Sequence, residues 1–417
     1  MKKFLSLGLS AIICIMAFSG CKNNTPSNEY SSLDNAEKVT EFIIETGISS
    51  SDDTNEVTEK EPVKEESSKV SFLAVGDNIM YQCNFTDARN RANEEYPGYN
   101  FMPIYEDVMP AIREADLAYV NQETVMAGES YGYSDYPMFN SPQHLGDQLV
   151  EVGFDIVNIA TNHMLDKGAS GLEDTIDFWQ TKEEITLIGG YENEEAYLEP
   201  CIIEKNGISI ALLSYTYSTN GIPLSASSEA VIPYIDYERI QEDIRRVHDL
   251  ADATVVSVHW GVENSFTPTE EQKELAQMMC DEGVDVIIGT HPHVLQPIEW
   301  FNSDNGNETL CIYSLGNFVA SMVKAANMVG GMATFDIVKE NGKVHIENAM
   351  FEPVIHHYGP GYYNSRLYYL SDYTNDLAVL LGRDCYGIRA TYDSLCKIVT
   401  DVIDKEFLPD FLKTEEE

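Results

Sequence analysis

The stretch Val70-Ser71-Phe72-Leu73-Ala74-Val75-Gly76-Asp77 is a short apolar run closed by a glycine and an acid. It reads as a buried strand that delivers a polar loop at its C-terminal end. The same grammar recurs down the chain. Asp116 to Val120 ends in Asn121-Gln122-Glu123, and Phe154 to Ala160 ends in Thr161-Asn162-His163. Ala253 to Val258 ends in His259-Trp260-Gly261, and Val284 to Ile288 ends in Gly289-Thr290-His291-Pro292-His293. Helix-period segments lie between them at Pro103 to Glu114, Ala169 to Gln180, Tyr237 to Leu250 and Thr269 to Glu282. Strand, polar loop, helix, strand is an α/β arrangement whose post-strand loops gather on one edge, where such sheets bind ligands. A second group of strands is expected at Ile208 to Tyr215, Leu310 to Ser314, Met332 to Val338 and Lys343 to Phe351. The last two meet at Asn341-Gly342, a hairpin signal. Two facing sheets with helices outside are the expected layering.

All five strand-end loops carry residues able to bind a divalent metal. Singly, each has a duller reading: an Asp after Gly is usually a turn, an Asn-His pair a helix cap, a His-Trp pair core packing. Their joint placement at successive strand ends is hard to obtain from packing alone. Asp77, Glu123, Asn162, His259, His291 and His293 are therefore the candidate metal ligands. Carboxylate, amide oxygen and imidazole together suit Mn, Fe or Zn better than Ca or Mg. Asp166 lies three residues after His163 and can orient its ring if a helical turn begins there. Glu263 reads equally as a metal-site partner or a surface acid. Asn317 reads as a ligand-shell donor or a turn, and His356-His357 as a solvent-exposed pair. The Tyr-rich stretches 131–136 and 358–369 line a polymer groove or pack under loops.

The blocks Ala74-Val75-Gly76-Asp77-Asn78, Asn121-Gln122-Glu123-Thr124, Ala160-Thr161-Asn162-His163-Met164-Leu165-Asp166-Lys167-Gly168, His259-Trp260-Gly261-Val262-Glu263, Gly289-Thr290-His291-Pro292-His293 and Tyr313-Ser314-Leu315-Gly316-Asn317-Phe318 resemble those of the CapA capsule-synthesis proteins, also called poly-γ-glutamate biosynthesis proteins. These in turn resemble the calcineurin-like metallophosphoesterases. The resemblance runs from about Val70 to His356. It implies a four-layer α-β-β-α sandwich and a centre of two divalent ions. By motif, Glu123 would bridge the ions, Asn162, His259 and His291 would complete one shell, and Asp77 and His293 would hold the other. His163 would be the general acid or transition-state stabiliser, with Asp166 behind it as the second catalytic candidate. The broader superfamily usually has a histidine two residues after the first Asp; here that position is Ile79, so the second ion is short of a ligand.

The ends of the chain speak to location. Lys2 and Lys3, an apolar run from Phe4 to Phe18, and Ser19-Gly20 before Cys21 form a signal peptide (1–20) followed by a lipoprotein-type cysteine. The expectation is an extracytoplasmic domain anchored to the bacterial cell membrane through lipidated Cys21. From Lys22 to Lys69 there are 12 Asp or Glu against 5 Lys, so residues 21–69 read as an acidic disordered tether, with a short amphipathic helix around Val39 to Ile48 as the competing reading. A metallophosphoesterase-like domain over 70–357 and a C-terminal, partly helical extension over 358–417 follow. The formal net charge of -43 disfavours nucleic acid and any other polyanion unless metal ions intervene. Beyond Cys14 and Cys21, six cysteines remain, spaced like no metal cluster, and a domain of this size needs no disulfide staples; reduced thiols are expected.

The resulting expectation is a lipid-anchored CapA-like protein acting in biosynthesis or export of a capsule or envelope polymer, beside polymer synthase or exporter subunits. Its substrate would be an anionic polymer or phosphoester. An active metal-dependent phosphoesterase and a solute-binding lipoprotein are the alternatives; the last leaves the strand-end His, Asn and Glu unexplained.

Overall fold

A computed structural model describes residues 67–381, 384–385 and 388–413. The expected signal peptide, Cys21, nearly all of the expected tether and the Val39 to Ile48 segment lie outside the described residues.

The strands in chain order are β1 (Ser67–Asn78), β2 (Leu117–Gln122), β3 (Ile156–Asn158), β4 (Thr186–Ile188), β5 (Ile202–Lys205), β6 (Ile208–Thr216) and β7 (Ala253–His259). They continue as β8 (Val286–Thr290), β9 (Leu295–Asn302), β10 (Glu308–Leu315), β11 (Asn317–Val319), β12 (Val329–Glu340), β13 (Lys343–His357) and β14 (Arg366–Tyr369). The helices are α1 (Gln82–Asn90), α2 (Met102–Tyr105), α3 (Met109–Glu114), α4 (His144–Val152), α5 (Gly168–Gln180), α6 (Glu194–Leu198), α7 (Tyr237–His248), α8 (Glu270–Asp281), α9 (Asn375–Leu381) and α10 (Tyr392–Val402).

One large sheet runs β14-β13-β12-β1-β2-β3-β4, with β11 also on β1, a second runs β5-β6-β7-β8-β10-β9, and Asp384–Cys385 pairs with Ile388–Arg389 in a small two-stranded sheet. Each central strand buries both faces, which is why it reads as a continuous apolar run rather than an alternating one. The period of two then sorts its side chains. Val70, Phe72 and Ala74 of β1, with Leu117 and Tyr119 of β2, meet Val255 of β7 and Val286 and Ile288 of β8 between the sheets. Leu73, Val75, Ala118 and Val120 point the other way, onto α1 to α5. Val256, Val258 and Ile287 do the same for the second sheet, onto Ile244 of α7 and Met279 of α8. The layers are therefore α-β-β-α, as expected.

The strand grouping differs from the sequence reading. β6 and β10 join β7 and β8, whereas β12 and β13 join β1, β2 and β3. Local pattern marks a strand but not its partner, because pairing is a long-range choice. The helix expected over 103–114 is two short ones, since Pro110 lacks the N–H that would continue the first and opens α3 instead. β13 runs past Phe351 to His357, so His356 and His357 are buried, 0 % and 5 % exposed, rather than solvent-facing. His356 bonds through Nδ1 to the Ala320 carbonyl at 2.6 Å and through Nε2 to Ser365 Oγ at 2.7 Å.

Beyond residue 358, β14 pairs with β13, and Leu395, Ile398 and Val399 of α10 share the core with Phe335 and Phe351. Cys280 and Cys311 are buried free thiols, and Cys83, Cys201 and Cys396 are half-buried ones. Among the described residues, no helix is long and apolar enough to cross a membrane.

Two features set the strand ends in place. Tyr119 Oη meets Ser257 Oγ at 2.6 Å, and Ser214 Oγ donates to Asn158 Oδ1 at 2.5 Å, so polar bonds tie the sheets together just beneath the loops. Gly76 lets β1 touch the turn after β10. Asp77 N donates to the Gly316 carbonyl at 3.0 Å, and a Cβ on Gly76 would fall 2.0 Å from that oxygen.

Candidate metal centre

The six candidate ligands converge. Asp77 closes β1, Glu123 follows β2, Asn162 and His163 follow β3, His259 closes β7, and His291 and His293 follow β8. All are buried, with exposures between 0 % and 7 %. His291 and His293 hold φ of 97° and 58°, a left-handed backbone that branched or bulky residues rarely adopt; the sharp path turns both rings inward.

Glu123 is the centre of the arrangement. Neither of its carboxylate oxygens has a hydrogen-bond partner, although both are buried. Its Oε1 faces His293 Nε2 at 3.7 Å, His259 Nε2 at 3.9 Å and His163 Nε2 at 4.0 Å. These separations are too long for hydrogen bonds and are wide enough for an ion between oxygen and nitrogen. His291 Nδ1 is likewise buried without a partner. The ligand atoms of Glu123, His259 and His291 lie within 4.8 Å of one another, as do those of Asp77, Glu123 and His293. A buried carboxylate beside bare imidazole nitrogens is costly unless something positive joins them. The donor set therefore fits a divalent metal.

The outer bonds fix which nitrogen each ring offers. His293 Nδ1 lies 3.0 Å from Asp77 Oδ2 and 3.1 Å from Asn317 Oδ1, both acceptors, so Nδ1 carries a proton and Nε2 is the nitrogen left for an ion once its own proton has gone. Asn317 is oriented by donating to the Asn327 carbonyl at 2.9 Å. His259 Nδ1 is 2.9 Å from Thr290 Oγ1, which accepts a hydrogen bond from Nδ1–H when Nε2 binds an ion. Asn162 Oδ1 lies 3.1 Å from His259 Nε2, beside the same space. The Asn121 amide donates to Asp77 Oδ1 at 2.8 Å while its oxygen accepts from Asn158 at 2.7 Å.

Electrostatics agree. Burial raises the Glu123 carboxyl well above its usual range, and Asp77 and other nearby acids add to this against the pull of His293. Burial works against protonated His293, yet Glu123 and Asp77 outweigh it and push its pKa up to about 9. Without an ion, the Glu123–His293 pair thus retains a proton. Burial, and then the neighbouring imidazoles, lower His259 and His291 well below the usual histidine value, keeping them neutral. Neutral nitrogens are what a metal needs.

His163 stands beside this group. Its Nδ1 is 2.8 Å from Asp166 Oδ2, which also accepts from Phe139 N at 2.7 Å, and the Phe139 ring packs edge-on at 4.8 Å. Nε2 therefore points at the centre. Ile79 contributes nothing polar and packs with Phe139 and Ala320.

Tyr217 and Asn220 were not among the expected site residues. The Tyr217 ring lies tilted against His291 at 4.5 Å between centroids, and Asn220 Oδ1 accepts from the Asn162 amide at 3.3 Å. The signal for them was their place directly after the apolar run Ile208–Thr216, the same rule that marks the other five loops.

The family described as "Bacterial capsule synthesis protein PGA_cap" matches residues 71–322. The PGA biosynthesis protein CapA of Bacillus subtilis (strain 168) is 34% identical over 220 residues, 52% of this chain and 56% of that protein. The capsule biosynthesis protein CapA of Bacillus anthracis is 30% identical over 267 residues, 62% of each chain. The matched region thus spans between half and two thirds of these relatives' length. Among solved structures, the calcineurin-like phosphoesterase YfkN from Bacillus subtilis aligns with a TM-score of 0.45 and 12% identity, over 81% of this chain and 97% of that one. The family match takes in every loop of the site from Asp77 to Asn317, and this chain belongs to the bacterial capsule synthesis protein PGA_cap family.

Proposed function

We propose that this protein serves the synthesis or export of an anionic envelope polymer such as poly-γ-glutamate, through a divalent-metal centre held outside the cytoplasm by lipidated Cys21. The observation that carries the metal reading is Glu123, a buried carboxylate with no hydrogen-bond partner, faced by three imidazole nitrogens. The relatives named for PGA and capsule biosynthesis support the polymer. Glu123, Asn162, His259 and His291 would hold one ion, and Asp77, Glu123 and His293 a second; Mn, Fe or Zn suits this donor set. When bound, such ions polarise a phosphoryl or carboxyl oxygen and offset the charge of an anionic substrate. That offset matters for a chain of net charge -43, which otherwise repels a polyanion. Synthase or exporter subunits are the expected partners. Replacing the chromosomal gene with a Glu123→Gln allele should abolish surface polymer at unchanged protein level. Polymer indistinguishable from wild type would overturn the proposal.

A second reading, an active phosphoesterase, is favoured by His163 and Asp166. Asp166 holds the proton on Nδ1 or accepts it, so that Nε2 can give or take a proton at a substrate oxygen beside Glu123. The purified protein with Mn should then cleave an aryl phosphodiester, and His163→Ala should stop it with metal retained. No turnover across several metals and phosphoesters would sink this reading.

A further inference from the structure

The side of the centre built on Asp77, Glu123 and His293 is short of a protein ligand. Position 79 cannot supply one, because Ile79 is 2 % exposed and packs against Phe139 and Ala320. On the solvent side, however, an oxygen of Glu263 lies within 4.8 Å of ligand nitrogens of His291 and His293, which lie within the same distance of each other. Glu263 is exposed, so its closeness needs a cause beyond packing. Its loop is fastened to the histidine loop. Asn264 N donates to the Pro292 carbonyl at 2.7 Å. The Asn327 amide donates both to Asn264 Oδ1 and to the His293 carbonyl, each at 3.0 Å. Gly261 and Asn264, at φ of 84° and 61°, turn the backbone so that the acid between them faces the histidines.

We propose that Glu263 is a metal ligand, which together with His291 and His293 closes the centre from the solvent side. This rests on the metal-centre reading above. Glu263 would add a hard oxygen donor to the imidazole nitrogens of His291 and His293. Carboxylates also balance more of the ion's charge than a neutral ring does.

Titration calorimetry with Mn(II) alone tests it on the wild-type protein, Glu263→Gln and Glu271→Gln, the last removing another exposed acid, on α8. Wild type should show two classes of site. Glu263→Gln should weaken the looser class at least about tenfold, leaving the tighter class and the circular dichroism unchanged, while Glu271→Gln behaves as wild type. Glu263→Asp, which keeps the charge and shortens the reach, should weaken the looser class as well. Superimposable isotherms for wild type and Glu263→Gln would overturn the assignment, and so would equal weakening by Glu271→Gln. A wild type that binds no Mn(II) would instead overturn the metal-centre reading and this inference with it.

Discussion

Glu123 and His293 show what a site is worth before its ligand arrives. Burial and neighbouring acids raise the Glu123 carboxyl, while Glu123 and Asp77 hold His293 protonated to about pH 9. Metal binding must expel that proton, so affinity for a divalent ion should rise with pH across the range below 9. Asp166 has the opposite kind of job. It touches no candidate ligand, yet it fixes the His163 ring through a 2.8 Å bond. Asp166→Asn should leave metal content unchanged and reduce any phosphoester cleavage by about 10²- to 10⁴-fold, the usual range for a mispositioned acid or base. Equal activity in the variant would show that the Asp166 bond does not position His163 for the chemistry. The sequence leaves Glu263 between two readings and does not mark Tyr217 or Asn327. Their roles come from loops that meet only after the sheets stack, and a surface acid or a loop tyrosine looks like any other until then.

The strands were the legible elements. β1, β2, β3, β7 and β8 announce themselves as apolar runs with abrupt polar stops, because both of their faces are covered. Their partners were not legible. β12 sits beside β1 although Val75 pairs with Met332 far along the chain, and nothing local in Met332 to Val338 says so. Close approach between elements is the related hidden fact. A Cβ on Gly289 of β8 would lie 2.1 Å from the Tyr313 carbonyl of β10 and 2.5 Å from Trp260 Nε1. Both neighbours are buried and one is backbone, so neither can yield cheaply. Gly289→Ala should destabilise the protein by about 1–3 kcal/mol, read as a lower denaturant midpoint at unchanged slope. A midpoint equal to wild type would mean that β8 and β10 are not so tightly apposed.

At the scale of the molecule, the C-terminal residues behave as part of the sandwich's core, where Leu395, Ile398, Val399 and Phe407 are buried with Phe335 and Phe351. The sequence suggested helices there but not what they cover, since an amphipathic period names a face and not its counterpart. Burial of His356 and His357 adds a pH response to the whole fold. Burial lowers each imidazole to about 4, while the unfolded chain titrates near 6.5. Protons therefore favour unfolding: stability is fully present above pH 6.5 and is lost as the pH falls toward 4, by on the order of 3 kcal/mol per buried imidazole. Denaturant midpoints should fall over that window, and less so in His357→Gln, which keeps a partner for Tyr373 Oη. A midpoint flat from pH 7 to pH 4 would contradict the burial.

Metal binding at Glu123 underlies every chemical statement above, and it has a direct test. The purified protein should be loaded with Mn(II), passed through gel filtration, and assayed for bound metal and for thermal unfolding, alongside Glu123→Gln. Wild type should retain metal and gain stability, by about 2.7 kcal/mol when the ion is at 100 times its dissociation constant. Glu123→Gln should retain none and gain nothing. Equal metal content and equal midpoints in the two proteins would contradict the account.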